Sequence, residues 1–405
     1  MFTSGKAGTG KSTLIQYICA TTDKSVAVVA PTGVAALNVQ GATIHSFFRF
    51  PPRVILEEDV RKVWDSVYEK LDLLIVDEIS MVRADMLDGI DRFLRLNGKD
   101  KRKPFGGVQV LMVGDLYQLP PVVGNAERAL LSKYPSPFFF GADVVASHQL
   151  EHVELDKIYR QKDPEFTSLL NKLRVAEDVS KTLAAINKAC LGRKHDADTF
   201  ITLTATNEVA GAINEIGLKG IKEKEFLYVG VTSGSWTLKD QALPAPINLR
   251  LKVGAKVMFT KNDEEGRWVN GSLGIVTHLE KDAILVKVLD RDEEFRVDVV
   301  QWGTFRYEVD GKKVKPKNTG SYRQYPLMLA WAVTIHKAQG KTLGKIFVDM
   351  GTGAFAAGQV YVALSRVRSL DDIALAKAIQ PYEVKRDDRI RQFYKGLEEA
   401  GLCKA

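Results

Sequence analysis

Residues 5–12 read Gly-Lys-Ala-Gly-Thr-Gly-Lys-Ser, three glycines followed at once by a lysine and a hydroxyl. Glycines let backbone N–H groups turn inward around phosphate oxygens. The stretch that follows, KSTLIQYICA, has a helical pattern, and its positive end points at the same anion. The spacing G-x-x-x-x-G-K-[ST] assigns Gly5, Gly8, Thr9, Gly10, Lys11, Ser12 and Thr13 to a nucleotide phosphate chain. Lys11 reaches the β- and γ-phosphates and Ser12 ligates Mg2+. A second cluster closes the apolar run LDLLIVDEISM. Asp77 there is placed to hold the magnesium through water, and Glu78 to orient or deprotonate an attacking water. Two carboxylates after such a run favour ATP hydrolysis over binding alone. A small-molecule kinase is compatible with these residues at this point.

Further stretches add reactive groups. VLMVGDLYQLPPV brings Gln118 to another strand end, where an amide can sense a γ-phosphate. LDKIYRQ presents Arg160 and YVALSRVRS presents Arg366. An arginine across a cleft stabilises charge on a transferring phosphoryl group, although either one alone reads as a surface cation. WAVTIHKAQGKTL ends an apolar segment with Thr334, His336, Lys337, Gln339, Gly340 and Thr342; a lone histidine such as His336 is ordinarily structural.

The elements that must hold these groups follow from periodicity. VAVVA, LLIVDE and VQVLMVG alternate with helical stretches, which predicts a parallel sheet within residues 1–150. Pro51-Pro52 interrupt it in FRFPPRVILEEDVRKVWD, about 48–66, which on its own reads as a surface loop. A second α/β unit is discontinuous, 151–240 and 325–380, and has no second phosphate loop. Between its halves, 241–324 alternates apolar and polar residues with Gly and Asp turns, the pattern of short antiparallel strands. Residues 381–405 read as a charged surface helix.

The chain has 405 residues, room for two or three domains, and a net charge of +7. That charge is compatible with a polyanionic partner without requiring one. The three cysteines have no C-x-x-C spacing, which argues against a disulfide framework or zinc site and fits a reducing compartment. No apolar run approaches the length of a membrane span, and MFTSGKAGTGK is not a secretion signal.

The order of GKAGTGKS, APTGVAALNVQGATIHSFF, VDEISM, GDLYQLPP, IYRQ, LTATN, TIHKAQGKT and VALSRVRS resembles superfamily-one helicases of the 5′→3′ branch. With SMVRADMLDGIDRFLR it is most similar to the PIF-type (petite-integration-frequency) DNA helicases, more than to the RecD-like ones. The resemblance runs from Gly5 to about Leu375. It implies two RecA-like P-loop domains around one ATP, a small wedge insertion, and an SH3-like β-barrel insertion clamping single-stranded DNA. Lys11, Glu78, Gln118, Arg160 and Arg366 would be catalytic, with Gly340 beside the nucleotide. Thr43, His45, Thr206, Asn207, Thr334, His336 and Lys337 would touch DNA. The expected partners are single-stranded, 5′-tailed or structured DNA, met by a monomer with no membrane contact. The expected place is the cytoplasm of a bacterium or phage host, or the nucleus or mitochondrion of a eukaryote. A single-strand translocase that unwinds poorly and an inactive DNA-binding remnant are the competing readings. Only Met1–Ser4 precede Gly5, so the upstream glutamine with which relatives read adenine has no position here. The first strand is expected to be a stub, and the sequence to be a fragment or nucleotide binding to be loose.

Overall fold

The computed structural model describes residues 1–196, 198–236, 243–289, 291–351, 353–354 and 356–404. The first unit is built on β1 (Phe2–Gly5), β2 (Val26–Ala30), β3 (Ala42–Thr43), β4 (Leu73–Val76), β5 (Gln109–Gly114) and β6 (His152–Leu155). They pair in parallel in the order β6-β1-β5-β4-β2-β3. β4 is buried along its whole length, as a strand covered on both faces must be. β1 is no stub: it is buried throughout and hydrogen-bonded to neighbours on both sides.

The helix Ala84–Asn97 organises the loops around this sheet. Its apolar side chains Leu87, Ile90 and Phe93 enter the core, while Asp85, Asp88 and Asp91, three residues apart, are buried as hydrogen-bond acceptors. Asp85 takes the Ile55 N–H at 2.8 Å, Asp88 those of Asp143 and Val144, and Asp91 that of Phe105. Asn97 takes the Val63 N–H at 2.8 Å. The 49–66 segment is thereby fastened at Ile55 and Val63, and between those ties and the next helix it presents Trp64, 96% exposed. Phe47 and Phe48 are core residues, in edge-on contact with each other and packed on Tyr68 and Phe93.

The second unit begins with the helices Pro164–Val175 and Val179–Cys190 and strand β7 (Phe200–Thr204). Among the described residues ten strands follow before the unit resumes: β8 (Phe226–Val229), β9 (Val231–Gly234), β10 (Asn248–Leu251), β11 (Lys256–Phe259), β12 (Leu273–Glu280), β13 (Ala283–Val288), β14 (Glu293–Val297), β15 (Val300–Asp310), β16 (Lys313–Gln324) and β17 (Leu327–Leu329). It closes with β18 (Ala332–Thr334), β19 (Lys345–Asp349) and β20 (Ile373–Leu375), giving a parallel sheet β18-β7-β19-β20.

The division of the middle of the chain departs from the sequence reading. Residues 226–234 do not join the second parallel sheet; β8 pairs with β10 and β9 with β16, all antiparallel. The stretch 241–324 is not one insertion either. β14-β13-β12-β11-β17 form an antiparallel sheet over a core of Val257, Phe259, Trp268, Val276 and Val286. The long hairpin β15–β16 leaves it and lies on the first unit, where Tyr307 and Val314 enter the core. The Tyr307 hydroxyl accepts from Val28 N at 2.7 Å and donates to Val28 O at 3.1 Å.

The tail also has a partner. Ile390 and Leu397 of the helix Asp388–Glu399 are buried in the first unit's core, and β21 (Cys403–Lys404) adds a parallel strand beyond β6. The two α/β units are thus joined by two chain crossings, residues 156–163 and 384–387. Among the described residues the cysteines are unpaired and no helix is long and apolar enough to cross a membrane.

Candidate nucleotide site and nucleic-acid interface

The loop between β1 and the helix Lys11–Thr21 turns through Gly8 (φ +82°) and Gly10 (φ +85°), left-handed conformations that favour glycine. At Gly8 a side chain would also collide with a neighbour: a Cβ would lie 2.5 Å from Cβ of Arg160. Tyr159 N–H donates to Gly8 O at 2.9 Å, so the segment carrying Arg160 rests directly on the loop. Lys11 Nζ donates to Gly5 O at 2.7 Å and Lys6 O at 3.0 Å. Burial lowers its pKa, against the pull of Asp115, Glu78 and Asp77.

Asp77 and Glu78 follow β4. Asp77 is buried and accepts from Glu78 N–H at 2.8 Å; Glu78 has φ +48°, a conformation that turns the chain sharply after the strand. Burial, with the Glu78 charge adding to it, pushes Asp77 up to about 7. Burial raises Glu78 too, although Lys11 and Arg366 oppose the shift. Gln118 is buried three residues beyond Asp115 and donates to its Oδ2 at 3.3 Å.

The second unit closes over these groups. Gln339 Nε2 donates to Glu78 Oε2 at 3.2 Å across 261 residues. Arg366, 1% exposed, donates through Nε to Val362 O at 2.7 Å and through Nη2 to Ser365 Oγ at 2.7 Å. Arg160 donates through Nε to Thr342 Oγ1 at 3.0 Å and through Nη1 to Ser365 O at 3.2 Å. Burial, then the charge of Arg160, lowers Arg366 to about 9. Three cations, Lys11, Arg160 and Arg366, therefore meet the buried Asp77 and the half-buried Glu78 in one cleft. That set suits a polyanion that brings its own divalent cation. Among the described residues no three acidic, histidine or cysteine groups could hold a metal by themselves.

A different device recurs beside it. Thr43 ends β3 and caps the helix Ile44–Phe48, its Oγ1 accepting from Ser46 N at 3.1 Å. Thr206 follows β7 and caps Asn207–Gly220 by accepting from Val209 N. Thr334 ends β18 and caps Ile335–Ala338 by accepting from Lys337 N at 3.3 Å. Each hydroxyl spends its oxygen on the cap and keeps its proton to donate. His336, Lys337 and Asn207 are exposed on these helices, and His45 is half-buried, its pKa lowered by burial and by Arg83.

The PIF1-like helicase profile matches residues 1–188. The chain is 33% identical over 413 residues to the ATP-dependent DNA helicase Pif1 of Bdellovibrio bacteriovorus, covering 98% of this chain and 88% of that one. The chain belongs to the PIF1-like helicase family. Among solved structures it superposes on Bacteroides sp Pif1 in complex with ADP-AlF4 with a TM-score of 0.89 and 37% identity, covering 99% of this chain and 94% of that one. Against Bacteroides Pif1 bound to ssDNA, at the same identity and coverage, the TM-score is 0.70. The chain spans 60–65% of the length of the fungal and rodent relatives it matches.

Of the predicted residues, the structure brings Lys11, Asp77, Glu78, Gln118, Arg160 and Arg366 to one cleft. Ser12 and Thr13 open the helix after the loop, exposed on its first turn, and Thr9 is buried with its hydroxyl on Lys6 O. Gly340 makes no close approach; its φ of +78° shapes the turn after Gln339. Sequence reasoning gave no role to four residues that the site contains. Gln339 lay inside a quoted motif, and its contact with Glu78 crosses the two units. Thr32 caps Gly33–Asn38 after β2, accepting from Ala35 N at 3.2 Å, as the three predicted threonines cap theirs; a threonine two residues beyond an apolar strand was the available signal. Tyr361 opened the quoted stretch YVALSRVRS without a role, and Arg174 had no local signal at all.

Proposed function

We propose that this chain is an ATP-dependent DNA helicase, with the 5′→3′ polarity that its resemblance implies. The observation that carries this reading is the convergence of Arg160, Arg366 and Gln339 on the phosphate loop and Glu78. Neither unit alone holds a complete phosphoryl-transfer site, so turnover depends on how the two units sit. Lys11 exchanges its loop carbonyls for phosphate oxygens when nucleotide enters. Ser12 and Asp77 would hold Mg2+, and the buried, proton-retaining carboxylate of Asp77 fits a cation arriving with the nucleotide. The metal would neutralise charge on the β- and γ-phosphates. Glu78, held by Gln339, orients and deprotonates the attacking water. Gln118 lies against the γ-phosphate, and Arg160 and Arg366 stabilise the charge that develops there.

DNA lies along the threonine-capped strand ends of both sheets. Thr32 and Thr43 in one unit and Thr206 and Thr334 in the other donate to backbone phosphates, with His45, Asn207, His336 and Lys337 beside them. Such contacts grip any sequence, as a translocating protein requires. Closing and opening around ATP changes the spacing of the two grips. Trp64, on the segment fastened to the helix Ala84–Asn97, lies where the duplex splits.

The test is ATP hydrolysis with and without unstructured single-stranded DNA, followed by unwinding of duplexes with 5′ or 3′ tails. DNA-stimulated hydrolysis with unwinding of the 5′-tailed duplex supports the reading. Stimulated hydrolysis without unwinding leaves a translocase, and no hydrolysis overturns the motor.

A further inference from the structure

Behind Gln118 lies a buried polar cluster that phosphate chemistry does not itself use. Asp115, fully buried at the end of β5, receives Nε of Arg174 at 3.1 Å and Nη2 at 3.0 Å. Arg174 belongs to the helix Pro164–Val175, whose Phe166, Leu170 and Leu173 are core residues of the second unit. Its guanidinium stacks over the Tyr117 ring at 4.6 Å. Gln118 Nε2 donates to the other oxygen of Asp115 at 3.3 Å. The Tyr361 hydroxyl donates to that same oxygen at 3.5 Å and accepts from Ala7 N–H of the phosphate loop at 3.0 Å. Tyr361 lies five residues before Arg366, on the helix Gln359–Leu364.

Apart from the Gln118–Asp115 bond, which lies within the first unit, each link in this cluster joins a first-unit element that faces the nucleotide to an element of the second unit. A buried ion pair is a poor way to glue two surfaces, because desolvation offsets most of the attraction and an apolar pair of similar volume does as well. What it supplies is direction. One carboxylate takes donors from Arg174, Gln118 and Tyr361, so the amide of Gln118 cannot settle independently of where the second unit stands. The same hydroxyl of Tyr361 fixes the loop backbone at Ala7.

We propose that Arg174 and Tyr361 are positioning residues for ATP turnover. Through Asp115 they set Gln118, and through Ala7 they set the phosphate loop, so the stance of the second unit decides whether the γ-phosphate side of the cleft is aligned. This rests on the ATP-hydrolysing reading above and adds two residues that do not touch the nucleotide.

The experiment measures kcat and KM for ATP with saturating single-stranded DNA, alongside the thermal midpoint, in three variants of the full chain. Tyr361→Phe removes one hydroxyl and keeps the packed ring. It is expected to lower kcat about tenfold while KM stays within about threefold. Arg174→Gln leaves Asp115 buried without its cation and is expected to lower both kcat and the thermal midpoint. Asp115→Asn combined with Arg174→Gln removes both charges; the midpoint is expected to recover while kcat stays about tenfold down. Wild-type kcat in Tyr361→Phe, a change confined to KM, or kcat that recovers together with the midpoint in the double variant overturns the proposal and leaves a purely structural cluster. No DNA-stimulated hydrolysis by the unaltered chain overturns the motor reading, and the proposal with it. The two failures are therefore told apart by the unaltered chain alone.

Discussion

The two parallel sheets share one device and divide another. Both place a threonine at a strand end or two residues beyond it, where it caps the next helix: Thr32 and Thr43 on the first sheet, Thr206 and Thr334 on the second. Only the first has the glycine-rich loop and the carboxylates Asp77 and Glu78. The second contributes Arg366 and Gln339, and Arg160 lies on the crossing between the units. The shared part suits a ligand that runs past both units and makes equivalent contacts with each. The divided part suits a ligand caught between them, bound by one unit and brought to reaction by the other.

That division is broken most directly by removing one charge from each side. Lys11→Ala and Arg366→Ala should each reduce DNA-stimulated phosphate release by about a thousandfold. Nucleotide titration should separate them, with Lys11→Ala weakening binding and Arg366→Ala leaving it within a few-fold. Equal loss of binding in both would mean that the second unit helps hold the nucleotide as well as react it.

Next in size is a pH effect confined to the first unit. The Asp77 carboxyl, pushed up to about 7 by burial, keeps its proton below that pH and must lose it before holding a divalent metal. Affinity for the Mg2+–nucleotide should therefore weaken about tenfold per pH unit as pH falls below about 7, with proton release on binding by calorimetry. Asp77→Asn should remove this slope.

The shared device should respond symmetrically. Thr32→Val and Thr206→Val should each lower single-stranded DNA affinity several-fold, at about 1 kcal/mol of cap stability. The salt dependence of binding should stay unchanged because no cation is lost. Lys337→Ala, by contrast, should reduce the salt slope by about one. Fluorescence anisotropy at several salt concentrations distinguishes them, and an effect on one unit only would break the symmetry. Smallest is the tie between the regions. Tyr307→Phe deletes both hydrogen bonds to Val28 and should cost about 1–2 kcal/mol in denaturant unfolding.

Much of the first unit was legible in the sequence because its signals are local. The loop from Gly5 to Ser12 needs only its own glycines and the helix after it. Asp77 and Glu78 announce themselves as carboxylates ending an apolar run. The middle of the chain was less legible. FLYVGVTS has the composition of a strand but no mark of which sheet it enters, and hairpin β15–β16 carries no sign that its tip region covers β2. The tail looked like a solvated helix because its many charges mask Ile390 and Leu397, whose apolar stripe is complete only when the first unit is present.

What the sequence determined by itself was therefore the identity of the chemistry: a phosphate loop, paired carboxylates and the strand runs that carry them, each fixed by neighbours a few positions away. The tertiary structure alone decided the assembly of that chemistry. Gln339 meets Glu78 across 261 residues, Tyr361 meets Ala7 across 354, and Tyr307 meets Val28 across 279. Such contacts leave no local pattern, because the partner that makes each polar group satisfied, or each arginine useful, is supplied by a distant strand only once both sheets have folded and packed.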